Sequence, residues 1–258
     1  MSEKLLEALL QLFALVAKVD GVKVEERQVI KDFLEEQINE DEAERYIKIF
    51  DEYATKDVKT SDTTKTLKIC NQVNQEMTQQ QKIVIIYRLL ELILADKVIS
   101  VSENDFILTV ASSFNIEEEL FNNLKSFVVE DDLRKLGVSN LIVIDGQKKD
   151  PEEGQKHLYE AYFPGQLGVF RIPDLEIYIA KYLGGRELYL NGIPLKYNRL
   201  YNFPSGSNLR SGKTQPIYYS DVVSVFLKDQ HTTHISYEAK DVEFTFPGNK
   251  IGLRDINV

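Results

Sequence analysis

The chain has one cysteine, no tryptophan and no proline before Pro151. With Cys70 alone, neither an intramolecular disulfide nor a multi-cysteine zinc site is available. Long apolar runs are missing too. A stretch such as Ile83–Tyr87 falls far short of the ~20 residues a membrane-spanning helix needs. The opening MSEKLLEALL lacks a basic segment followed by an apolar stretch and a small-residue cleavage site, so it does not read as a secretory signal and the expected compartment is the cytoplasm. No Gly-x-x-x-x-Gly-Lys-Ser/Thr phosphate loop and no Gly-x-Ser-x-Gly nucleophile elbow occurs. Histidine is scarce as well, with His157, His231 and His234 the full set.

What is present is an ordinary globular composition, 43% hydrophobic and 28% charged over 258 residues, which fits one large or two small domains. The net charge of −10 argues against nucleic acid as a partner, because counterion release needs a basic surface. The charge is unevenly spread. Residues 1–132 carry 27 acidic and 15 basic side chains, a net of −12, whereas residues 133–258 carry 14 and 16, a net of +2. A step of this size favours two domains with different surfaces.

The first region has helical periodicity. Leu5, Leu6, Leu9, Leu10, Phe13, Val16 and Ala17 recur at three- and four-residue spacings, followed by Val29, Ile30, Phe33, Leu34 and Ile38. Asn39 is placed to cap a third helix whose face is Ala43, Tyr46, Ile47 and Phe50. A fourth helix is expected around Leu67–Val73, and Thr78 starts a long one running to Ala95. Ser102 and Asn115 are the expected starts of two more. Absence of proline suits such a bundle.

An internal echo runs through this region. LFALVAKVDGVKVEERQVIKDFL (Leu12–Leu34) and LELILADKVISVSENDFILTV (Leu90–Val110) each give an apolar helix, an aspartate (Asp20, Asp96), a short loop and a glutamate (Glu26, Glu103) opening a second amphipathic helix. Acidic residues in a first helical turn are favoured by the helix dipole alone, so the pattern also suits a purely structural repeat. The motif Asp-Gly-x-x-x-Glu-Glu with its looser second copy resembles the TerB-like domain, over roughly residues 1–130. The resemblance implies an all-helical bundle linked to tellurite resistance, with paired acidic loops that take a divalent cation through Asp20, Glu26, Asp96 and Glu103. Lys97 stands where the first copy has Gly21, which breaks the symmetry of such a site. No His-Pro-Asp tripeptide occurs, so the membrane-linked J-protein variant of that family is excluded.

Beyond residue 132 the period changes. Leu141–Ile144, Leu167–Ile172, Leu175–Leu183, Leu200–Phe203, Asn208–Ser211, Ile217–Tyr219, Val222–Leu227 and Ile235–Ala239 read as strands, and Gly146–Gly154 as a loop. Leu188–Leu190 and Ile193–Leu195 flank Asn191-Gly192, the strongest short hairpin signal in the chain, and Pro194 places the second strand at an edge. Short strands with regular turns predict a sandwich or barrel. The stretch Leu188–Phe226 resembles the C-terminal half of a forkhead-associated sandwich. The phosphothreonine-reading residues of that family are not at their place, since Gly185-Arg186 lies too close to the hairpin. Phosphopeptide binding is therefore not expected. Ser205-Gly206-Ser207 reads as a turn, although such a sequence can also form an anion nest.

The last stretch, HISYEAKDVEFTFPGNKIGLRDINV, resembles the opening strands of an ATP-binding-cassette ATPase, with Val242–Phe246, the Pro247-Gly248 turn and Leu253–Ile256 as the matching parts. The resemblance implies that Phe246 takes the adenine-stacking position and that the chain is cut before a phosphate loop. Without that resemblance, Val242–Val258 is the last hairpin of the β region.

The expected architecture is α+β: a TerB-like bundle over 1–132, a forkhead-associated-like sandwich over 138–236, and a tail, 237–258. Together the resemblances imply the N-terminal region of a bacterial ABC-transporter ATP-binding protein. This region would be non-catalytic and regulatory, at the inner face of a membrane, with the downstream ATPase domain and a membrane subunit as partners. The acidic bundle would offer a face to a further protein, and ATP is implied for the parent protein only. The alternative is a stand-alone cytoplasmic protein that binds a divalent cation in metal or oxyanion stress. Cys70, beside Ile69 and Val73 on an apolar helical stripe, reads as a buried inert thiol. His231 and His234 have no cysteine partner for a metal site.

Overall fold

A computed structural model describes residues 3–18, 21–55, 63–94, 99–149, 154–227, 240–248 and 250–256. Seven helices come first: α1 (Glu3–Ala17), α2 (Val24–Gln37), α3 (Glu40–Thr55), α4 (Thr63–Glu76), α5 (Gln79–Ile93), α6 (Val101–Ser113) and α7 (Glu118–Val129). The strands are β1 (Leu141–Asp145), β2 (Lys156–Tyr159), β3 (Gly165–Ile172), β4 (Ile177–Gly184), β5 (Tyr189–Leu190), β6 (Ile193–Pro194), β7 (Leu200–Asn202), β8 (Asn208–Arg210) and β9 (Ile217–Tyr218). A nine-residue helix, α8 (Tyr219–Leu227), and a hairpin of β10 (Val242–Phe246) and β11 (Lys250–Ile256) follow. The chain is thus a helical bundle followed by a β-rich region, as its periodicities predict.

Local chemistry sets the helix ends. The Asn39 side chain accepts the Glu42 N–H at 2.9 Å to start α3, and Thr78 and Gln81 form a reciprocal capping box at α5. Two expected starts need correction. Ser100, not Ser102, caps α6, because its hydroxyl reaches the Glu103 N–H. Asn115 closes α6 rather than opening α7. Its φ of 55° lies in the left-handed region that asparagine tolerates, and the Ile116 N–H returns to the Ala111 carbonyl. A further correction falls on Val222–Leu227, expected as a strand. It is part of α8, where Val222 and Phe226, four residues apart, are the buried side chains. Ile235–Ala239 lies outside the described residues.

The five-stranded sheet runs β2-β1-β3-β4-β7, with β1 and β2 parallel and the other pairs antiparallel. A smaller sheet runs β6-β5-β8-β9, and places the Pro194 strand at its edge. Side chains alternate across β1. Leu141 and Val143 join the core of the bundle, together with Phe170, Ile172, Ile179, Leu183 and Leu200. Ile142 and Ile144 face the other way, against the smaller sheet and α8, among Leu190, Phe203, Leu209 and Phe226. Burial on both faces explains the uninterrupted apolar sequence of β1. Three layers result: helices, large sheet, then small sheet with α8. Gly168 on β3 permits the close approach of the first two. A Cβ there would meet the side chains of Phe127 and Leu133 at 2.8 Å.

Candidate functional site

The two copies of the helix–loop–helix repeat converge on the same local geometry. Glu26 is the third residue of α2, and its Oε2 accepts the Lys23 backbone N–H at 2.7 Å. Glu103 is the third residue of α6, and its Oε2 accepts the Ser100 N–H, also at 2.7 Å. Both carboxylates are almost wholly buried, at 1% exposure. Each satisfies an N–H that a helix start leaves without an intrahelical partner. Gly21, in the loop of the first copy, takes a left-handed conformation, φ 97°. Asp20 and Asp96 lie outside the described residues. Among the described residues no group of three or more histidine, cysteine, aspartate or glutamate side chains is placed to hold a metal ion.

A second cluster, unmarked by any local sequence signal, joins the bundle to the sheet. Arg88 and Glu91 lie on α5, both at or below 5% exposure. Arg88 Nη1 donates to Glu91 Oε2 at 2.6 Å and to the Leu200 carbonyl at 3.3 Å, while Glu91 Oε1 accepts the Leu200 N–H at 2.7 Å. Leu200 sits on β7, the edge of the large sheet. The ion pair therefore occupies the backbone groups where another strand would add, and so closes that edge. Asp32 of α2 extends the cluster, accepting from Arg199 at 2.9 Å and from Lys196 at 3.4 Å. Tyr87 donates to Asn202 at 3.2 Å.

Lys181 of β4 is fully buried and crosses the same boundary. Its ammonium donates to the carbonyls of Phe127, Val128 and Glu130 at 3.1, 2.7 and 2.7 Å. These are orphan acceptors at the end of α7, where a cation also meets the negative end of the helix dipole. Burial pulls the lysine down to about 8, against Asp131, Glu130 and Glu91, which raise it.

At the C-terminal end of β1, Asp145 is buried between Arg134 Nη1 at 2.7 Å and His157 Nε2 at 3.1 Å. It also accepts the Gln147 N–H. This pins the turn after β1, and His157 finds its role there. His231 and His234 are outside the described residues. Cys70 is fully buried, and burial pushes its thiol up to about 11, as expected of an unreactive cysteine. Ser205-Gly206-Ser207 is a turn: the Ser207 N–H bonds the Pro204 carbonyl, and the Ser207 hydroxyl accepts from Asn191.

The hairpin β10–β11 differs from the rest. Phe244, Phe246, Ile251 and Leu253 are 49%, 53%, 60% and 47% exposed. The two phenyl rings meet edge to face, 4.9 Å apart, over Gly252, where a Cβ would lie 2.8 Å from Phe246 and 2.9 Å from Phe244. Phe246, the expected adenine-stacking residue, is thus on an open apolar face.

Residues 6–126 match the family model described as Tellurite resistance protein TerB. The chain carries a TerB domain there, followed by a β-rich region. No curated protein and no solved structure matches the chain. No helix among the described residues is long and apolar enough to cross a membrane.

Proposed function

With a TerB domain as its N-terminal part, the chain is, we propose, a non-catalytic interaction region of a larger ATP-binding-cassette ATPase that works at a membrane. The observation that carries this reading is the hairpin β10–β11. A two-stranded hairpin is marginal on its own and needs a further strand or a packed face. Here four large apolar side chains stand about half exposed, and the main packing partner of each strand is the other strand. The sequence of this hairpin is the part that resembles the first strands of such an ATPase. The TerB domain and the sandwich then form the body that holds the hairpin, and the ATPase core is its partner. The body itself supplies no ATP chemistry, because the chain has no phosphate loop.

Two measurements test this reading. Purified chain 1–258 is expected to hydrolyse no ATP, and steady turnover would overturn the non-catalytic role. An ATP-binding-cassette core from the same source, added in trans, is expected to slow amide exchange across Val242–Ile256. Unchanged exchange with a saturating core would overturn the docking role.

A second reading, binding of a divalent cation between the acidic loops, draws on the matching burial of Glu26 and Glu103 in the two copies. Calorimetric titration with Ca²⁺, Mn²⁺ and Zn²⁺ tests it. Heat that disappears in the Asp20→Ala, Asp96→Ala double variant is the expected sign, and no heat removes the reading.

A further inference from the structure

The small sheet gathers positive charge at one end. Its strand β5 runs antiparallel to both β6 and β8, with Tyr189 opposite Pro194 on one side and Arg210 on the other. The start of β5 therefore lies beside the ends of β6 and β8. Arg186 leads into β5, Lys196 follows β6, Arg210 closes β8 and Lys213 follows it, so the topology brings four cations to the same end. All four are exposed. Leu209 is buried beneath the sheet, and alternation along β8 puts Arg210 on the outer face. Residues 185–220 hold five basic side chains and one acidic, in a chain of net charge −10. That one acid, Glu187, accepts from the Tyr189 hydroxyl at 2.9 Å, and Lys196 also reaches Asp32 of α2. Beside Lys196, Tyr197 and Ile193 are 58% and 63% exposed.

Lysine and arginine near an anionic bilayer are drawn to its phosphates, and tyrosine sits at headgroup level with its ring inward and its hydroxyl wet. The end of the small sheet presents both kinds of side chain together. Its cations come from the β4–β5, β6–β7 and β8–β9 connections and from the tip of β8. That spread suits a surface better than a nucleic-acid strand, which a basic groove tracks along its length. The overall charge of −10 does not oppose the contact, because screening at physiological salt limits the attraction to charges within about 8 Å of the membrane. We propose that this end of the small sheet docks the chain on an anionic lipid surface. Arg186, Lys196, Arg210 and Lys213 would meet the phosphates, and Tyr197 and Ile193 would enter the headgroup layer. The inference rests on the proposed function for the membrane alone and does not use the hairpin, so the two can fail separately.

Co-sedimentation with unilamellar vesicles is the test. Chain 1–258 is expected to bind vesicles of equimolar phosphatidylglycerol and phosphatidylcholine, and not vesicles of phosphatidylcholine alone. A basic side chain at such a surface is worth about fivefold in affinity. Lys213→Gln is therefore expected to weaken binding about fivefold, and Arg210→Glu with Lys213→Glu about 25-fold or more, with added salt acting in the same direction. Lys48→Glu with Lys68→Glu makes the same change in net charge at exposed positions of the bundle and is expected to leave binding unchanged. Phe246→Ser, in the hairpin, is expected to leave it unchanged as well. The proposal is overturned by absence of binding to the anionic vesicles at low salt, by equal binding to phosphatidylcholine, by an equal loss in the bundle variant, or by a loss in Phe246→Ser in place of Arg210→Glu with Lys213→Glu. Binding of polyglutamate in place of the vesicles would also overturn it and reassign this end of the sheet to an acidic protein. None of these outcomes bears on amide exchange across Val242–Ile256, which tests the hairpin.

Discussion

Two hairpins in this chain start from similar chemistry and end differently. β5–β6 turns at Asn191-Gly192, both in the left-handed region, with φ of 52° and 84°. β10–β11 turns through Pro247-Gly248, with Gly248 at φ 92°. Each carries large apolar side chains. In the first, β5 pairs also with β8, and Leu190 and Leu195 are buried under the large sheet. In the second, each strand pairs only with the other among the described residues, and its two phenyl rings meet over Gly252 while remaining about half exposed. Turn chemistry is sufficient to make a hairpin. Burial requires a partner surface, and among the described residues only the first hairpin has one. The proposed docking role rests on the exposed apolar area of the second hairpin.

This contrast predicts large effects inside the body and almost none on the second hairpin. The largest should come from the contact that closes the edge of the sheet to which β5–β6 is packed. Glu91→Ala leaves Arg88 and the Leu200 N–H buried without their acceptor, and is expected to cost about 3–5 kcal/mol in chemical denaturation. Replacing the pair together, as Arg88→Met with Glu91→Leu, should recover most of that loss. Leu190→Ala, within the first hairpin, is expected to cost about 2–4 kcal/mol by cavity formation.

Lys181 gives the contrast a pH dependence. Its folded-state value, about 8, is below the ordinary lysine value of 10.5, so between these the unfolded chain binds more protons than the folded one. Stability should then rise with pH across that window, by at most about 1.4 kcal/mol per pH unit for one group. Below pH 8 the contribution is flat. Cys70, raised by burial from 9.0 to about 11, acts in the opposite sense above pH 9, and Tyr182 and Tyr219, both raised by burial first, do so near pH 10, which confines the visible rise to about pH 8–9. Lys181→Met should abolish the rise, and a variant that keeps it would refute the assignment.

Ser100→Ala removes the cap of α6 and should cost about 1 kcal/mol by thermal denaturation. The smallest effect belongs to the second hairpin. Phe246→Ser is expected to change the stability of the chain by less than about 0.5 kcal/mol, because the ring covers so little. A loss comparable to that of Leu190→Ala would erase the distinction between the hairpins.

The elements were legible where one local rule decided them. Apolar spacing marked α1 to α5, and Asn191-Gly192 marked the first hairpin. α8 was misread because Val222–Leu227 is short, apolar and β-branched, and periodicity over six residues cannot separate a buried helix from a strand. Strand β2 was missed because Lys156–Tyr159 has no alternation to show, and its parallel pairing with β1 depends on a tertiary crossover. Asn115 has the same helix-ending and helix-starting chemistry, and only the backbone shows which it uses. At the repeat, the placing of Glu26 and Glu103 at helix starts was readable, whereas their burial was not. Arg88, Glu91 and Lys181 were hidden in apolar segments. A charge inside such a segment is the one signal that could have drawn notice, and its partners across the boundary lie 51 to 112 residues away in the sequence.

The docking account is tested most directly by reading the source gene past the Val258 codon. The account predicts an open frame that continues into a Gly-x-x-x-x-Gly-Lys-Ser/Thr loop within about 30 codons, so that the strands after β11 cover Phe244 and Phe246. A stop codon at that point would contradict it.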